Sequence, residues 1–145
     1  MNGPTDFKEN PQVVQSHLTI LQAVIQRMAS NSASSKTWCV TLVSAILVIV
    51  ADKGKPQYAW IAVIPTLLFL ALDAYYLALE KGFRNSYNDF IQKLQGQSLS
   101  TSDLFVVTPK GNLFALFFGA FGSFSVWPFY LTLLGMVYAA KAFVI

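Results

Sequence analysis

The sequence predicts an all-α integral membrane protein with about three transmembrane helices, of which the first two form a tight hairpin with cytoplasmic helical extensions. Hydrophobic residues make up 54% and charged residues 12% of the chain, whereas a soluble domain carries about 25% charged residues. Two apolar segments approach the length of about 20 residues that a helix needs to cross a bilayer. Apolar residues at helical spacing flank both segments.

The first two predicted spans are joined by a short turn. Residues 34–51 form the first span and residues 58–80 the second, with Tyr and Trp near the ends as interfacial anchors. Pro65 predicts a kink in the second span, because proline lacks the N–H of one helical hydrogen bond. The connection Asp52–Gln57 is short and contains Gly and Pro, which predicts a tight antiparallel hairpin.

The end of the chain predicts one more span, at residues 127–144. Residues 113–125 before it predict either an interfacial segment or a short re-entrant segment, and both alternatives stay open. A plain aromatic belt is the simpler interpretation, while Gly119 and Gly122 would permit close approach of helices. We expect a flexible N-terminus over residues 1–10 and a single membrane domain over 11–145, with cytoplasmic helices at about 11–33 and 81–95.

Basic residues give the expected orientation. Cytoplasmic ends of spans are enriched in Lys and Arg, which predicts a multi-pass protein of the bacterial inner membrane with a cytoplasmic N-terminus. Membrane lipid is therefore an expected partner. Nucleic acid is not, because the net charge of +3 is scattered along the chain rather than gathered in a patch. Six basic residues flank the cytoplasmic ends and three the opposite ends: Arg27, Lys36, Lys81, Arg84, Lys93 and Lys110 against Lys53, Lys55 and Lys141.

Two stripes of apolar residues predict that the hairpin continues into the cytoplasm. Their steps of three and four are typical of helices that pack along a seam. If the cytoplasmic ends of the spans meet near Lys36 and Glu80, the stripes bury each other, pairing Met28 with Tyr87, Ile25 with Phe90 and Leu21 with Leu94. The candidate packing or partner stripe is Leu18, Leu21, Ile25, Met28, Phe83, Tyr87, Phe90 and Leu94.

Asp73 is the main candidate functional residue, because an ionisable group inside a span costs at least about 2.5 kcal/mol at the bilayer centre. The same register places it near the hydroxyls of Ser44 and Thr41, and places Lys36 beside Glu80. Two interpretations stay open: a polar path between subunits, or an interhelical clamp that fixes the register, which is the simpler one. The candidate polar face is Asp73, Tyr76, Glu80, Ser44, Thr41 and Lys36.

The sequence shows no pattern of an enzyme. Cys39 is the only cysteine, and His17, the only histidine, has no ligand-type residue at metal-binding spacing and is expected to be solvated. The serines of residues 30–35 lack the strand, turn and helix of a nucleophile elbow. We therefore expect no catalytic residue, no metal and no cofactor.

Three segments resemble a known family. They are RMASNSASSKTWCVTLVSA (Arg27–Ala45), PTLLFLALDAYYLALEKGFRNSYNDF (Pro65–Phe90) and SFSVWPFY (Ser123–Tyr130). They resemble a widespread family of small multi-pass bacterial inner-membrane proteins that has no assigned activity, and Ala33 stands where that family's pattern has an aromatic residue. The resemblance implies a compact membrane subunit that accompanies antiphage or CRISPR-linked systems.

The expected function is that of an oligomeric membrane effector or channel-like subunit, which responds to a cytoplasmic signal by perturbing the membrane. Small residues at contact positions predict a homo-oligomer, and a cytoplasmic protein or a signalling ligand would supply the signal. The alternative is a non-catalytic membrane anchor or accessory subunit for a cytoplasmic partner. A transporter subunit is disfavoured, because the chain shows no inverted repeat.

Overall fold

A computed structural model describes residues 10–143 of the chain. All but residue 10 of the expected flexible N-terminus, and residue 144 of the third predicted span, lie outside the described part. Within residues 10–143 the secondary structure is helical throughout, with turns and irregular connections. The prediction of an all-α fold is confirmed for this part of the chain.

The first helix, α1, runs from Pro11 to Lys53 without a break. Its 43 residues correspond to a length of about 65 Å, roughly twice the apolar thickness of a bilayer. Pro11 occupies the first turn, where its missing N–H is not needed. The helix ends at Gly54, which takes the left-handed conformation with φ of 59° and donates its N–H to the carbonyl of Ala51.

The second arm of the hairpin consists of a 3-10 segment, Pro56–Ala62, followed directly by α2, Val63–Gln95. Pro65 therefore lies in the first turn of α2 rather than in the middle of a long α-helix. The helical irregularity expected at this proline is found in the residues just before it. Gly96 follows the last residue of α2 and donates its N–H to the carbonyl of Gln92.

Two shorter helices complete the fold, α3 (Leu113–Phe121) and α4 (Trp127–Phe143). The Asn112 side chain starts α3 by accepting hydrogen bonds from the N–H groups of Phe114 and Ala115. Helix α3 packs on α2, and α4 packs on the 3-10 segment, α1 and α2. The two are separated by a short turn that holds Gly122 and Ser123.

The direction of α4 follows from contacts at its two ends. Near its start, the Tyr130 hydroxyl donates a 3.0 Å hydrogen bond to the carbonyl of Phe69. Near its end, Lys141 Nζ lies 4.8 Å from the ring centroid of Trp60. Helix α4 is thus antiparallel to α2, and its C-terminal end lies beside the hairpin turn.

Buried side chains form two separate clusters. One lies between α1, the second arm and α4, and it includes Cys39, Val43, Tyr130 and Leu133. The other joins Val14, Phe90 and Leu99 at the opposite end of the hairpin. Large apolar side chains around the first cluster are exposed on every described helix that surrounds it. Both α1 and the continuous stretch Pro56–Gln95 are long and apolar enough to cross a membrane.

The register of the hairpin differs from the prediction. The chain reverses at Gly54 and Lys55, inside the predicted connection, but Lys36 meets Asp73 and not Glu80. Residues of α2 therefore meet α1 about two turns nearer its N-terminus than the register counted from Lys36 and Glu80 predicts. Phe90 stacks on His17, with ring centroids 4.3 Å apart, and His17 lies about two turns before Ile25. The predicted pairs Met28 with Tyr87, Ile25 with Phe90 and Leu21 with Leu94 are therefore wrong.

The stripe residues nevertheless face the inside of the hairpin or its edges. Leu18 and Leu94 pack against the cluster of Val14, Phe90 and Leu99, and Leu21 is buried. The other members of the stripe apart from buried Phe90 are half-buried: Ile25, Met28, Phe83 and Tyr87.

Candidate functional site

Asp73 is completely buried between α1 and α2. The Ser32 hydroxyl donates a hydrogen bond to its Oδ1 atom. Lys36 Nζ lies 2.5 Å from Oδ2 as an ion-pair contact, without hydrogen-bond geometry at that oxygen. The same ammonium donates to the Ser32 hydroxyl at 3.3 Å. One turn of α1, from Ser32 to Lys36, therefore supplies both partners of the carboxylate.

Three further polar side chains lie around this pair, in or beside the buried cluster between α1, the second arm and α4. The Tyr130 hydroxyl from α4 donates its hydrogen bond to the carbonyl of Phe69 and lies near the Asp73 carboxylate. The Cys39 thiol lies against the hydroxyl of Thr66, which itself donates to the carbonyl of Ala62 at 2.7 Å. Three helices thus meet around one buried polar centre, which we call the Asp73 cluster: Ser32, Lys36, Cys39, Thr66, Asp73 and Tyr130.

The Asp73 cluster is closed within a single chain. The side chain of Lys36 keeps only 18% of its exposure and that of Asp73 none. Pairing offsets the cost of two buried charges only when geometry and hydrogen bonding are good, and it is lost when either partner is removed. The geometry therefore fits an interhelical clamp better than a polar path.

The structure separates the other members of the predicted polar face from Asp73. Glu80 pairs with Arg84 on the same helix, at 2.8 Å, and not with Lys36. Thr41 and Ser44 are exposed on α1, and the Thr41 hydroxyl donates to the carbonyl of Thr37. The predictions that place them beside Asp73 are wrong, because they rest on a register in which Lys36 meets Glu80, whereas Asp73 itself meets Ser32 and Lys36. Tyr76 is half-buried on α2.

Small and hydroxyl side chains instead form a stripe on the outer face of α1. Their spacing of three and four residues keeps them on one side of the helix, and every one of them is exposed. Thr37 and Thr41 bond only to carbonyls of their own helix. We call this surface the α1 hydroxyl face: Ser30, Ala33, Ser34, Thr37, Thr41 and Ser44.

His17 is buried rather than solvated, contrary to the prediction. Only 2% of the residue is exposed. Its Nδ1 atom accepts a 2.9 Å hydrogen bond from the N–H of Phe105, so the ring must be the neutral tautomer with its proton on Nε2. Burial lowers the pKa of His17 below 6.5, against an opposing effect of the Asp103 carboxylate. The residue joins α1 to the connection between α2 and α3.

Ion pairs hold the same connection on α2. Lys93 lies 2.7 Å from Asp103 and 3.7 Å from Asp89, and Lys110 pairs with Asp89. Hydrogen bonds from Lys93 and from the backbone N–H of Ser100 lower the pKa of Asp103 to about 2. The Ser86 hydroxyl donates to the carbonyl of Thr108. The connection, which we call the strap (residues 97–112), is therefore fixed to the hairpin.

Sequence reasoning missed the burial of His17 and four members of the Asp73 cluster: Ser32, Cys39, Thr66 and Tyr130. Ser32 belongs to the serine-rich run of residues 30–35, whose small side chains indicate only tight helix packing. Nothing in this run shows which serine hydroxyl bonds to the Asp73 carboxylate. His17 falls at the edge of the apolar stripe, one residue before Leu18 and one turn before Leu21. That position on the stripe was the available signal for its burial.

Groups of three or more His, Cys, Asp or Glu side chains placed to hold a metal are absent from residues 10–143. Comparison with models of known protein families, with curated proteins and with solved structures finds no match for this chain.

Proposed function

We propose that the chain is a subunit of an oligomeric bacterial membrane effector with channel-like character, in which the α1 hydroxyl face packs against neighbouring subunits. A cytoplasmic signal received by the hairpin extension would repack the subunits and perturb the membrane. The resemblance of its sequence blocks to small inner-membrane proteins supports a setting in antiphage defence. The chain would lie in the inner membrane with its N-terminus in the cytoplasm.

The observation that carries the proposal is the exposure of the α1 hydroxyl face. Within a bilayer, small and hydroxyl side chains are typical of helix–helix contacts, because they let backbones approach and hydrogen bond across the interface. Thr37 and Thr41 lie on the part of α1 that would be in the membrane and are exposed, whereas Ser44 lies at the edge of an open groove between α1 and α4. A second subunit is the partner that this surface fits.

The helices supply a rigid connection between the cytoplasm and the membrane. Both α1 and α2 pass through the level of the Asp73 cluster without a break. The clamp between Asp73 and Lys36 lies at the start of the first predicted span and about two turns inside the cytoplasmic end of the second. A movement of the cytoplasmic extension would therefore be transmitted to the membrane helices as a rigid-body change.

We further propose that α4 is the third span and that α3 lies at the cytoplasmic boundary. The 17 residues of α4 correspond to about 25 Å, somewhat less than the apolar thickness of about 30 Å. Leu113 of α3 packs near Gly82, beside the charged Lys81 and Arg84. The apolar helix α3, placed at the level of these charged residues, would cover the part of the apolar thickness that α4 does not span.

Cysteine cross-linking tests the subunit contact. In a Cys39→Ala background, Thr41→Cys should form disulfide-linked dimers on oxidation of intact membranes. Leu68→Cys is the matched control, because Leu68 lies at a similar depth on the exposed face of α2. Equal cross-linking of both variants would reject the α1 hydroxyl face as the contact.

Membrane potential tests the functional part of the proposal. Expression of the wild-type chain should depolarise cells, and Thr41→Leu, which blocks close approach, should depolarise them less at equal abundance. A wild-type chain that leaves the potential unchanged under every signal supplied would contradict the effector proposal. Retained depolarisation by folded Asp73→Asn is expected if Asp73 is a clamp, and would exclude a path through its carboxylate.

The second candidate function is a membrane anchor for a cytoplasmic protein. It is favoured by two apolar residues of the strap, Phe105 and Val106, which are 59% and 52% exposed. They lie outside the predicted membrane spans. Exposed apolar residues of this kind fit a protein partner. Under this alternative, Phe105→Ser should abolish partner recruitment, and depolarisation by the wild type should be absent.

A further inference from the structure

An apolar groove lies at the turn end of the hairpin, between the last turns of α1 and the 3-10 segment. Its volume is about 280 Å³. Four aliphatic side chains line it, and a lysine and a tyrosine complete it: Ile46, Ile49, Val50 and Ile61, with Lys53 and Tyr58. Lys53 is the last residue of α1, so the polar groups stand at the end of the groove nearest the turn.

Positive charge gathers at this end of the molecule. Lys55 Nζ lies 5.8 Å from the ring centroid of Tyr58, and Lys141 Nζ lies 4.8 Å from that of Trp60. Together with Lys53 at the end of α1, they make three cations, of which Lys55 lies in the turn and Lys141 in α4. None of the three forms an ion pair with any group in residues 10–143. The only acidic residue in this part of the sequence is Asp52.

We propose that the groove binds an anionic phospholipid, with an acyl chain against Ile46, Ile49 and Ile61 and the phosphate on the Lys53 ammonium and the Tyr58 hydroxyl. The inference rests on the membrane insertion of α1 and α2 in the proposed function. It adds a specific lipid at the end of the hairpin that faces away from the cytoplasm.

Charge and shape together select this occupant. The distance along α1 from Ile46 to Lys53 is about 10 Å, which matches the upper part of an acyl chain below its headgroup. An extended peptide in the groove would leave backbone N–H and C=O groups without partners, because the walls are aliphatic. Three unpaired lysines on the non-cytoplasmic side also run against the usual distribution of basic residues. Lipid phosphates give them counter-charges.

Native mass spectrometry of the full-length chain in mild detergent tests the inference. The probes are dioleoyl phosphatidylglycerol and dioleoyl phosphatidylcholine, which share acyl chains and differ in charge. The wild type should retain the anionic lipid in clear preference to the zwitterionic one. Lys53→Gln should lose most of that preference, while Lys53→Arg should keep it.

Lys81→Gln is the matched control, because it removes the same charge beside the cytoplasmic end of the second predicted span, and it should bind both lipids as the wild type does. Inorganic phosphate added at the same concentration should not displace the lipid, since the acyl chain supplies part of the binding. Equal retention of the two lipids by the wild type, or full preference for phosphatidylglycerol in Lys53→Gln, would overturn the inference.

The same spectra report the number of subunits, which separates this inference from the proposed function. A monomer that still prefers phosphatidylglycerol through Lys53 would leave the lipid site standing and contradict the oligomer. If Lys53→Gln fails to fold, as judged by circular dichroism, Ile49→Trp replaces it: a filled groove should lower retention of both lipids, and unchanged retention would overturn the inference.

Discussion

At the residue scale, the two partners of the buried ion pair differ in how well they could survive alone. Lys36 keeps part of its side chain exposed and has a long stem that can carry its ammonium toward water. Asp73 is short and fully enclosed. Loss of the lysine therefore strands a buried charge, whereas loss of the carboxylate leaves a cation that can move outward.

This asymmetry gives a measurable order of effects. Lys36→Met should lower the free energy of unfolding by about 3–5 kcal/mol, as expected for one partner of a buried pair. Asp73→Asn should lower it by about 1–3 kcal/mol, the cost of an imperfectly satisfied buried polar group. Denaturant titrations in detergent micelles check both values.

The Glu80–Arg84 pair provides the control. Arg84 is 60% exposed, so Arg84→Met should change the stability by less than about 1 kcal/mol. The double variant Lys36→Met with Asp73→Asn should be less destabilised than the two single effects added together. Strict additivity would show that the two side chains do not act as a pair.

His17 predicts a dependence of strap docking on pH. Because its pKa is lowered in the folded chain, the unfolded state binds more protons as the pH falls below about 6.5, and stability falls with it. A protonated ring would also present an N–H to the N–H of Phe105. The facing groups keep their charge in this range, since the pKa values of Asp103 and Asp89 are lowered and that of Lys93 is raised.

Amide hydrogen exchange measures this effect at the strap. Exchange in residues 97–112 should be faster at pH 5.5 than at pH 7.5 after correction for intrinsic rates, while the centre of α2 should change little. The control is His17→Gln, whose amide oxygen can still accept from Phe105 but does not titrate. A pH effect of the same size in this variant would assign it to another group.

At the element scale, α2 and the strap approach each other closely at Gly82. A Cβ atom at this position would lie 2.7 Å from the Cβ of Pro109 and 3.4 Å from its Cα. The neighbour is partly backbone, so the strap must move to admit a side chain. The carbonyl of Gly82 also accepts the N–H of Lys110. This contact fixes where the strap turns into α3.

Gly82→Ala should therefore destabilise the chain by about 1–3 kcal/mol, as overpacking does elsewhere. Gly135→Ala in α4 is the matched control. A Cβ atom there has no neighbour within 4 Å, and alanine favours the helix by up to about 1 kcal/mol. Thermal unfolding of both variants should show opposite signs, and a neutral Gly82→Ala would mean that the strap yields without cost.

The register of the hairpin, that is, which residues of α1 and α2 lie opposite each other, was not predicted correctly from the sequence. Apolar spacing correctly predicts the helices and which stripe of each faces inward, because a stripe depends only on local period. The pairing of two helices depends on the turn, and a connection of several residues can reverse at more than one position. The turn at Gly54 lies inside the predicted connection, but the predicted partners of α2 were counted from Lys36 and Glu80, which do not meet. The wrong starting pair displaces the predicted partners, including those of Asp73.

At the scale of the whole molecule, composition was enough to predict an all-helical chain with helices able to cross a membrane. It could not predict what covers each helix. Thr41 and Ser44 read as partners for Asp73, yet they face outward, while Ser32 and His17 became buried through contacts with residues far away in sequence. Such contacts follow from the register and from the folded strap, neither of which leaves a local pattern.

The direction of α4 gives the final prediction, which concerns topology. Its C-terminal part lies beside Trp60 of the 3-10 segment, so the C-terminus and the hairpin turn must be on the same side of the membrane. Reporter fusions at Ile145 and at Lys55 should therefore give the same result, and a fusion after Gln97 the opposite one. The distribution of basic residues further predicts that Gln97 is cytoplasmic. If all three reporters were reversed together, the fold would stand and only the orientation would be wrong. If Ile145 reported with Gln97 instead, α4 would not cross beside α2, and the contacts of Tyr130 and Lys141 that set its direction would be contradicted.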